Sequence, residues 1–240
     1  LPDMRIAALS DIHGNLPALE AVLADVEREG VAAIVVAGDC VSGPWPAEVF
    51  DRLEAVGARI VRGNADRLEE VRDFDSRQAA WNEVRLGADR LATVAAWPLT
   101  LELEVDGLGR ALVCHATPVS DEPIYTQLTP DEELIAVLGP VDADVLVCGH
   151  THMQYDRELS SGLRVVNPGS VGMPYEGRAG AFWALLGPDV GFRHTEYDVE
   201  RTSSAIRELG APVEEQRLEL LANPPAPDVA AAEFEKLRAP

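Results

Sequence analysis

The chain has 240 residues, 47% hydrophobic and 25% charged, enough to bury the core of one large domain or two small ones. A formal charge of −21 excludes the basic footprint of a nucleic-acid duplex binder, and no apolar run approaches the ~18 residues of a membrane span. The three cysteines make no paired framework, which excludes a disulfide-stapled secreted scaffold.

Met4 reads as the natural start with no basic-then-apolar leader after it, so the expected compartment is the cytoplasm. Arg5 to Ser10 is an apolar strand that delivers Asp11 and His13. Asn15 caps a helix with Pro17 in its first turn, an apolar stripe at Leu16, Leu19, Val22, Leu23 and Val26, and a stop at Gly30. Ala33 to Ala37 is the next buried strand and ends at Gly38-Asp39. A helix over Ala47 to Val56 and a short strand, Arg59 to Val61, lead into Gly63-Asn64-Ala65-Asp66. Strand and helix alternate here as in βαβ units, which predicts an α/β fold.

Residues 67 to 97 read as charged and helical. Leu99 to Val105 alternates and turns at Asp106-Gly107 into the strand ending at Cys114-His115, the pattern of a β-hairpin. A helix with Thr129 as cap and Pro130 at its first position runs to Leu138, and Asp144 to Cys148 is a strand aimed at Gly149-His150-Thr151-His152. Tyr155 to Leu159, Leu163 to Val166, Gly180 to Leu186 and Val190 to Tyr197 follow as antiparallel strands, then a helix over Val199 to Leu209. Glu214 to Leu221 is helical, Asn223 to Pro227 a linker, and Ala230 to Leu237 a short or frayed helix. One domain, residues 1 to 222, is expected, with a Pro-rich tail over residues 223 to 240.

Four of the five histidines, His13, His115, His150 and His152, stand at strand exits, three of them in i, i+2 pairs that put two side chains on one face. Asp11, Asp39 and Asn64 stand at the same kind of place, beside glycines that let the backbone turn close to a bound ion. Oxygen and nitrogen donors without thiolate suit manganese, iron or zinc, with magnesium less favoured. Seven candidates, Asp11, His13, Asp39, Asn64, His115, His150 and His152, are too many for one ion and enough for two, if one carboxylate bridges. Cys40, Cys114 and Cys148 read as small apolar residues at crowded strand ends, with soft-metal ligation as the alternative.

In order, Asp-x-His, Gly-Asp, Gly-Asn-x-Asp, a lone His after a strand and Gly-His-Thr-His closely resemble the calcineurin-like metallophosphoesterases. The run Asn167 to Gly172 resembles the small bacterial and archaeal phosphodiesterase branch, and the likeness spans about residues 5 to 198. The resemblance implies a four-layer αββα sandwich, two mixed sheets packed face to face with flanking helices. It implies Asp11, His13 and His152 on one divalent ion, Asn64, His115 and His150 on the other, and Asp39 bridging. Asp39, Asn64 and His115 would then stand at the catalytic centre, with Asn167 supporting the ligands. Asp66 reads either as a helix cap or as a group behind the site. Arg62, Arg67 and Arg178 read either as surface ion pairs or as contacts to substrate phosphate, Arg178 being the substrate contact expected. Tyr175 and Trp45 read either as base-stacking or as packing residues, and His194 as structural. The histidine that many members carry after the asparagine is Ala65 here, which counts against phosphomonoesters.

The function expected is hydrolysis of nucleotide-type phosphodiesters or phosphoanhydrides, dinucleoside polyphosphates among them. The partner is then a phosphorylated small molecule, with neither a nucleic-acid duplex nor a membrane, and a homo-oligomer is compatible. A non-catalytic scaffold and a phosphoprotein phosphatase are the other two readings. A scaffold has no reason to keep seven ligands, and a phosphatase calls for the missing histidine and a basic groove.

Overall fold

The computed structural model describes residues 5–68, 76–213 and 215–238; Met4, part of the charged stretch after Arg67, and Glu214 lie outside them. One sheet is built from β1 (Ile6–Leu9), β2 (Ala33–Val36), β3 (Arg59–Ile60), β9 (Ala181–Leu186) and β10 (Val190–Thr195), in the order β10-β9-β1-β2-β3. The other holds β4 (Thr100–Val105), β5 (Gly109–Cys114), β6 (Val145–Val147), β7 (Gln154–Glu158) and β8 (Arg164–Pro168), in the order β4-β5-β6-β8-β7. Both are mixed. β1, β2 and β3 run parallel with β9 and β10 added antiparallel, while β5, β6 and β8 run parallel between antiparallel β4 and β7.

The parallel strands are short apolar runs because both of their faces are covered. In β1, Ile6 and Ala8 point between the sheets, while Ala7 and Leu9 point to the helical side. β5 and β6 alternate likewise: Ala111, Val113, Val145 and Val147 face the other sheet, and Leu112, Cys114 and Leu146 face outward. Helices α1 (Leu16–Glu29), α2 (Pro46–Ala55) and α3 (Ser76–Ala95) cover the first sheet, and α4 (Asp131–Leu138) the second. This is the expected αββα sandwich. α1 forms as its sequence predicts: the Asn15 side chain accepts from Ala18 N at 3.2 Å, and Gly30 ends it at φ 64°. Its buried stripe is Leu19, Val22, Leu23 and Val26, so Leu19→Ala should cost about 2–5 kcal/mol.

Three elements differ from the sequence reading. α4 starts at Asp131 with Pro130 in the cap position, because the Thr129 hydroxyl is engaged by Thr126 N and by Glu235. Gly87 interrupts α3 at φ 71°, so the charged stretch is not one continuous helix. After α5 (Val199–Leu209) and α6 (Glu215–Ala222), Pro227 opens α7 (Pro227–Leu237) instead of closing a linker. α7 is packed: Ala230, Ala231 and Phe234 lie against Met153 and Tyr175, and Glu235 accepts from the hydroxyls of Thr126 and Thr129. Among the described residues no helix is long and apolar enough to cross a membrane.

Candidate metal centre

The candidate ligands leave the ends of parallel strands, and backbone hydrogen bonds zip their loops together. Asp11 N donates to Gly38 O, His13 N to Asp39 O and Gly14 N to Cys40 O, all within 3.0 Å. Gly149 N donates to His115 O at 2.8 Å, and Gly172 N to Asp11 O at 2.9 Å. The approach is so close that a Cβ on Gly63 would stand 2.1 Å from Asp39 Oδ1, and one on Gly43 1.8 Å from His13 O. Among the described residues, the non-glycine residues with positive φ are Asp11, His13, Asp39, His150 and His152. Each costs roughly 1–3 kcal/mol where a side chain must adopt that region, and all five are candidate ligands.

The seven side chains converge. Asp11 Oδ1 lies 3.2 Å from His152 Nε2 and 3.8 Å from His13 Nε2. Asp39 Oδ2 lies 3.7 Å from His13 Nε2 and 3.5 Å from His115 Nε2, between the two groups. His115 Nε2 lies 3.0 Å from Asn64 Oδ1 and 3.2 Å from His150 Nδ1.

For five of the seven candidates, the hydrogen bonds on the far side fix what the near side can do. His115 Nδ1 donates to Ala37 O, His152 Nδ1 to Met173 O, and His150 Nε2 to Glu122 O. A carbonyl only accepts, so in each neutral ring the opposite nitrogen carries a lone pair. With the rings neutral, the lone pairs of His115 and His150 face each other and Asn64 Oδ1, and that of His152 faces His13 Nε2 and Asp11 Oδ1. The carboxylates are sorted the same way. Asp11 Oδ2 accepts from Ser10 Oγ and His150 N, while Asp11 Oδ1 is buried without a hydrogen bond. Asp39 Oδ1 accepts from Ala65 N at 2.8 Å, which turns Oδ2 toward His13 and His115. Converging buried acceptors need a cation, so the residues present fit divalent metal.

Burial dominates the electrostatics here. It pushes His13 and His150 down to about 3 and Asp39 up to about 7. Against burial, His152 holds Asp11 below the usual carboxylate range; Asp39 and Asp11 hold His115, and Asp11 holds His152, above the usual imidazole range. Protons on those two rings relieve the crowding, and a metal ion brings positive charge to the same place. The cysteines take no part: all are free and buried, and burial pushes their thiols up, Cys148 to about 11.

Behind the ligands, Asp66 accepts from Cys40 N, Val41 N and Gly63 N, tying the Asp39 loop to the Asn64 loop. Both of its oxygens are thus engaged by backbone. Asn167 bonds Gly149 O, Thr151 Oγ1 and Gly169 N, holding the turn between His150 and His152. Arg178 does not join the cluster; its guanidinium lies 5.2 Å over the Phe182 ring. Arg62 and Arg67 approach Asp121 at 3.9 and 3.2 Å, His194 bonds Ala179 O, and Trp45 packs beside α5 and α6.

A profile of the calcineurin-like phosphoesterase superfamily domain matches residues 4–186, more than half of the chain. The chain belongs to that superfamily. It is 28% identical over 199 residues to phosphodiesterase YfcE of Escherichia coli K12, covering 78% of this chain and 89% of that protein. A metallophosphoesterase structure from Sphaerobacter thermophilus is 28% identical with a TM-score of 0.71, covering 91% of this chain and 98% of its own. The hypothetical protein PH1004 from Pyrococcus horikoshii OT3, 23% identical, shares the fold at a TM-score of 0.78 over 92% of this chain and 99% of its own.

In this superfamily member Tyr175 packs, one of the two alternatives its sequence offered, and Arg217 escaped the sequence reading. The Tyr175 ring lies on that of the candidate ligand His152, with centroids 5.1 Å apart, and Phe234 of α7 stands 5.9 Å behind it. Arg217 of α6 lines the same cavity as His13. No spacing or motif marks Arg217, because the helix that carries it meets the candidate ligands only after folding.

Proposed function

We propose that this chain is a two-metal phosphodiesterase acting on nucleotide-type diesters or phosphoanhydrides. In this reading Asp11, His13 and His152 hold one divalent ion, Asn64, His115 and His150 hold the other, and Asp39 serves both. When bound, the ions supply Lewis acidity toward phosphoryl oxygens and an activated water for attack. The chain's own groups pre-set the rest. Ala65 N–H orients Asp39, while Ala37 O, Met173 O and Glu122 O keep the lone pairs of three imidazoles turned inward. Ala65 offers no proton to a leaving oxygen, which favours leaving groups of low pKa over alkyl monoesters. A 28% identical relative named as a phosphodiesterase supports that choice of substrate.

One observation carries the reading: four imidazoles, one amide and two carboxylates converge, and five of the seven, Asp11, Asp39, His115, His150 and His152, are held from behind by hydrogen bonds. The test is a panel of diesters, monoesters and dinucleoside polyphosphates assayed with manganese, magnesium, zinc and iron, alongside elemental analysis. We expect close to two ions per chain, activity lost to chelator and restored by manganese, and diesters preferred. A folded protein that binds no transition metal and turns over no substrate would replace this reading with the scaffold one.

A further inference from the structure

Beside His13 the structure contains a cleft walled by Pro44, Met173, Ile206, Val213 and Leu221, with Arg217 on its lining. Three of these residues and Arg217 come from the segment after residue 186, beyond the part of the chain that matches the superfamily. Most arginines of this acidic chain are held by carboxylates, as in Arg52–Glu20, Arg90–Asp51, Arg110–Asp142 and Arg207–Glu215. Arg217 is not: among the described residues it has no ion-pair partner. It lines the cleft together with His13, which places it beside the candidate ligand cluster.

The cleft encloses only about 40 Å³, room for a few water molecules and too little for a nucleobase. What fits is a charged group at the open mouth of the cleft, against the exposed guanidinium. A planar guanidinium without a carboxylate suits a phosphate through paired N–H donors. We infer that Arg217 is a specificity-determining residue, which binds a second, non-reacting phosphate of the substrate on the His13 side of the centre. The inference rests on the phosphodiesterase reading and narrows it: the substrate class becomes esters or anhydrides with at least two phosphoryl groups. Such a subsite also raises selectivity without touching the chemistry, since a remote contact adds binding to one substrate and none to another.

The test compares inorganic pyrophosphate with orthophosphate as inhibitors of bis(p-nitrophenyl) phosphate hydrolysis by the manganese-loaded protein. Arg217→Ala, Arg217→Glu and Arg217→Lys are measured beside the parent. Removal of the guanidinium should cut the preference for pyrophosphate about tenfold, reversal of charge more, and lysine should restore part of it. Metal content, checked in each variant, should stay equal. A pyrophosphate preference that survives Arg217→Ala overturns the inference while leaving the phosphodiesterase reading intact. If the parent hydrolyses nothing, that reading fails, and calorimetry of pyrophosphate on the same four proteins still reads the subsite. Equal affinities across the four overturn it there too.

Discussion

The strand-exit loops and the three C-terminal helices both close on the ligand cluster, and they are built on opposite terms. The loops hold their geometry with backbone. Asp11, His13, Asp39, His150 and His152 sit at positive φ, and glycine Cα atoms press so close that a methyl group would strike the next loop. The helices hold theirs with side chains: Phe234 behind Tyr175, Glu235 on two threonine hydroxyls, Arg217 along a cleft. A loop made of strain and ligands tolerates almost no substitution, whereas a helix packed from outside can be altered by degrees. The difference should appear directly in mutants, loop changes abolishing function and helix changes grading it.

The sharpest way to break that contrast is Asp39→Asn. Asp39 Oδ2 lies between His13 and His115 while Oδ1 is held by Ala65 N, so one carboxylate faces both groups. The amide would present a donor where the cluster needs charge. We expect loss of activity by more than roughly 10³-fold and a metal content well below that of any single histidine variant. Elemental analysis and turnover on the same preparation check it. If His152→Ala does more damage than Asp39→Asn, the shared role of Asp39 is wrong.

The loops were legible in the sequence for the reason that makes them fragile. Histidine is scarce in this chain and glycine has backbone uses, so Asp-x-His or Gly-His-Thr-His at the end of an apolar run carries information residue by residue. The strands were legible as short apolar or alternating runs, but their division into two sheets packed face to face came from the family resemblance. The C-terminal helices were legible only as helices. Nothing in Phe234 or Arg217 says what it meets, because those contacts join residues distant in the chain. The misplaced Thr129 cap has the same origin: the hydroxyl that would cap α4 is taken by Glu235, more than a hundred residues away.

Next in size is a gain, and it sits in a loop. Ala65 is half-buried beside Asn64, and only its backbone serves the site. A positioned general acid is typically worth about 10²–10⁴-fold. The parent's log(kcat/KM) should therefore fall steeply as leaving-group pKa rises, and Ala65→His should flatten that slope with the metal content unchanged. A parent slope that is already flat, with chemistry rate-limiting, means another residue supplies the proton.

A moderate effect is expected from removing the last helix. All seven candidate ligands precede Asn223, so a chain ending at Ala222 should still take up about two ions. It should bind them more weakly, because Met153 and Tyr175 lose Ala230, Ala231 and Phe234, and Tyr175 is what lies on the His152 ring. Metal titration of full-length and truncated protein should show a drop in affinity of severalfold with unchanged stoichiometry. Equal affinities would make α7 a passive cover.

The smallest effect concerns how α7 is fastened. Glu235 accepts from Thr126 Oγ1 at 2.6 Å and Thr129 Oγ1 at 2.5 Å, and pairs with Arg238. Burial works against its charge, yet the two hydroxyls and Arg238 hold its carboxyl below the usual glutamate range. A carboxylate depressed in the folded state contributes stability that is present above its unfolded pKa of about 4.3 and lost as pH falls through the lower folded value. Both hydroxyl contacts end on an ionised oxygen, but the helix is partly exposed, and solvent screening limits the contribution to roughly 1 kcal/mol. Glu235→Gln should thus lower the melting temperature slightly between pH 6 and 7, and the gap between variant and parent should close toward pH 3. The variant keeps the size of the side chain and its oxygen acceptor, so only the charge is under test. A gap that persists unchanged in acid would assign the fastening to shape and to the Phe234 contact, leaving the carboxylate without a part in it.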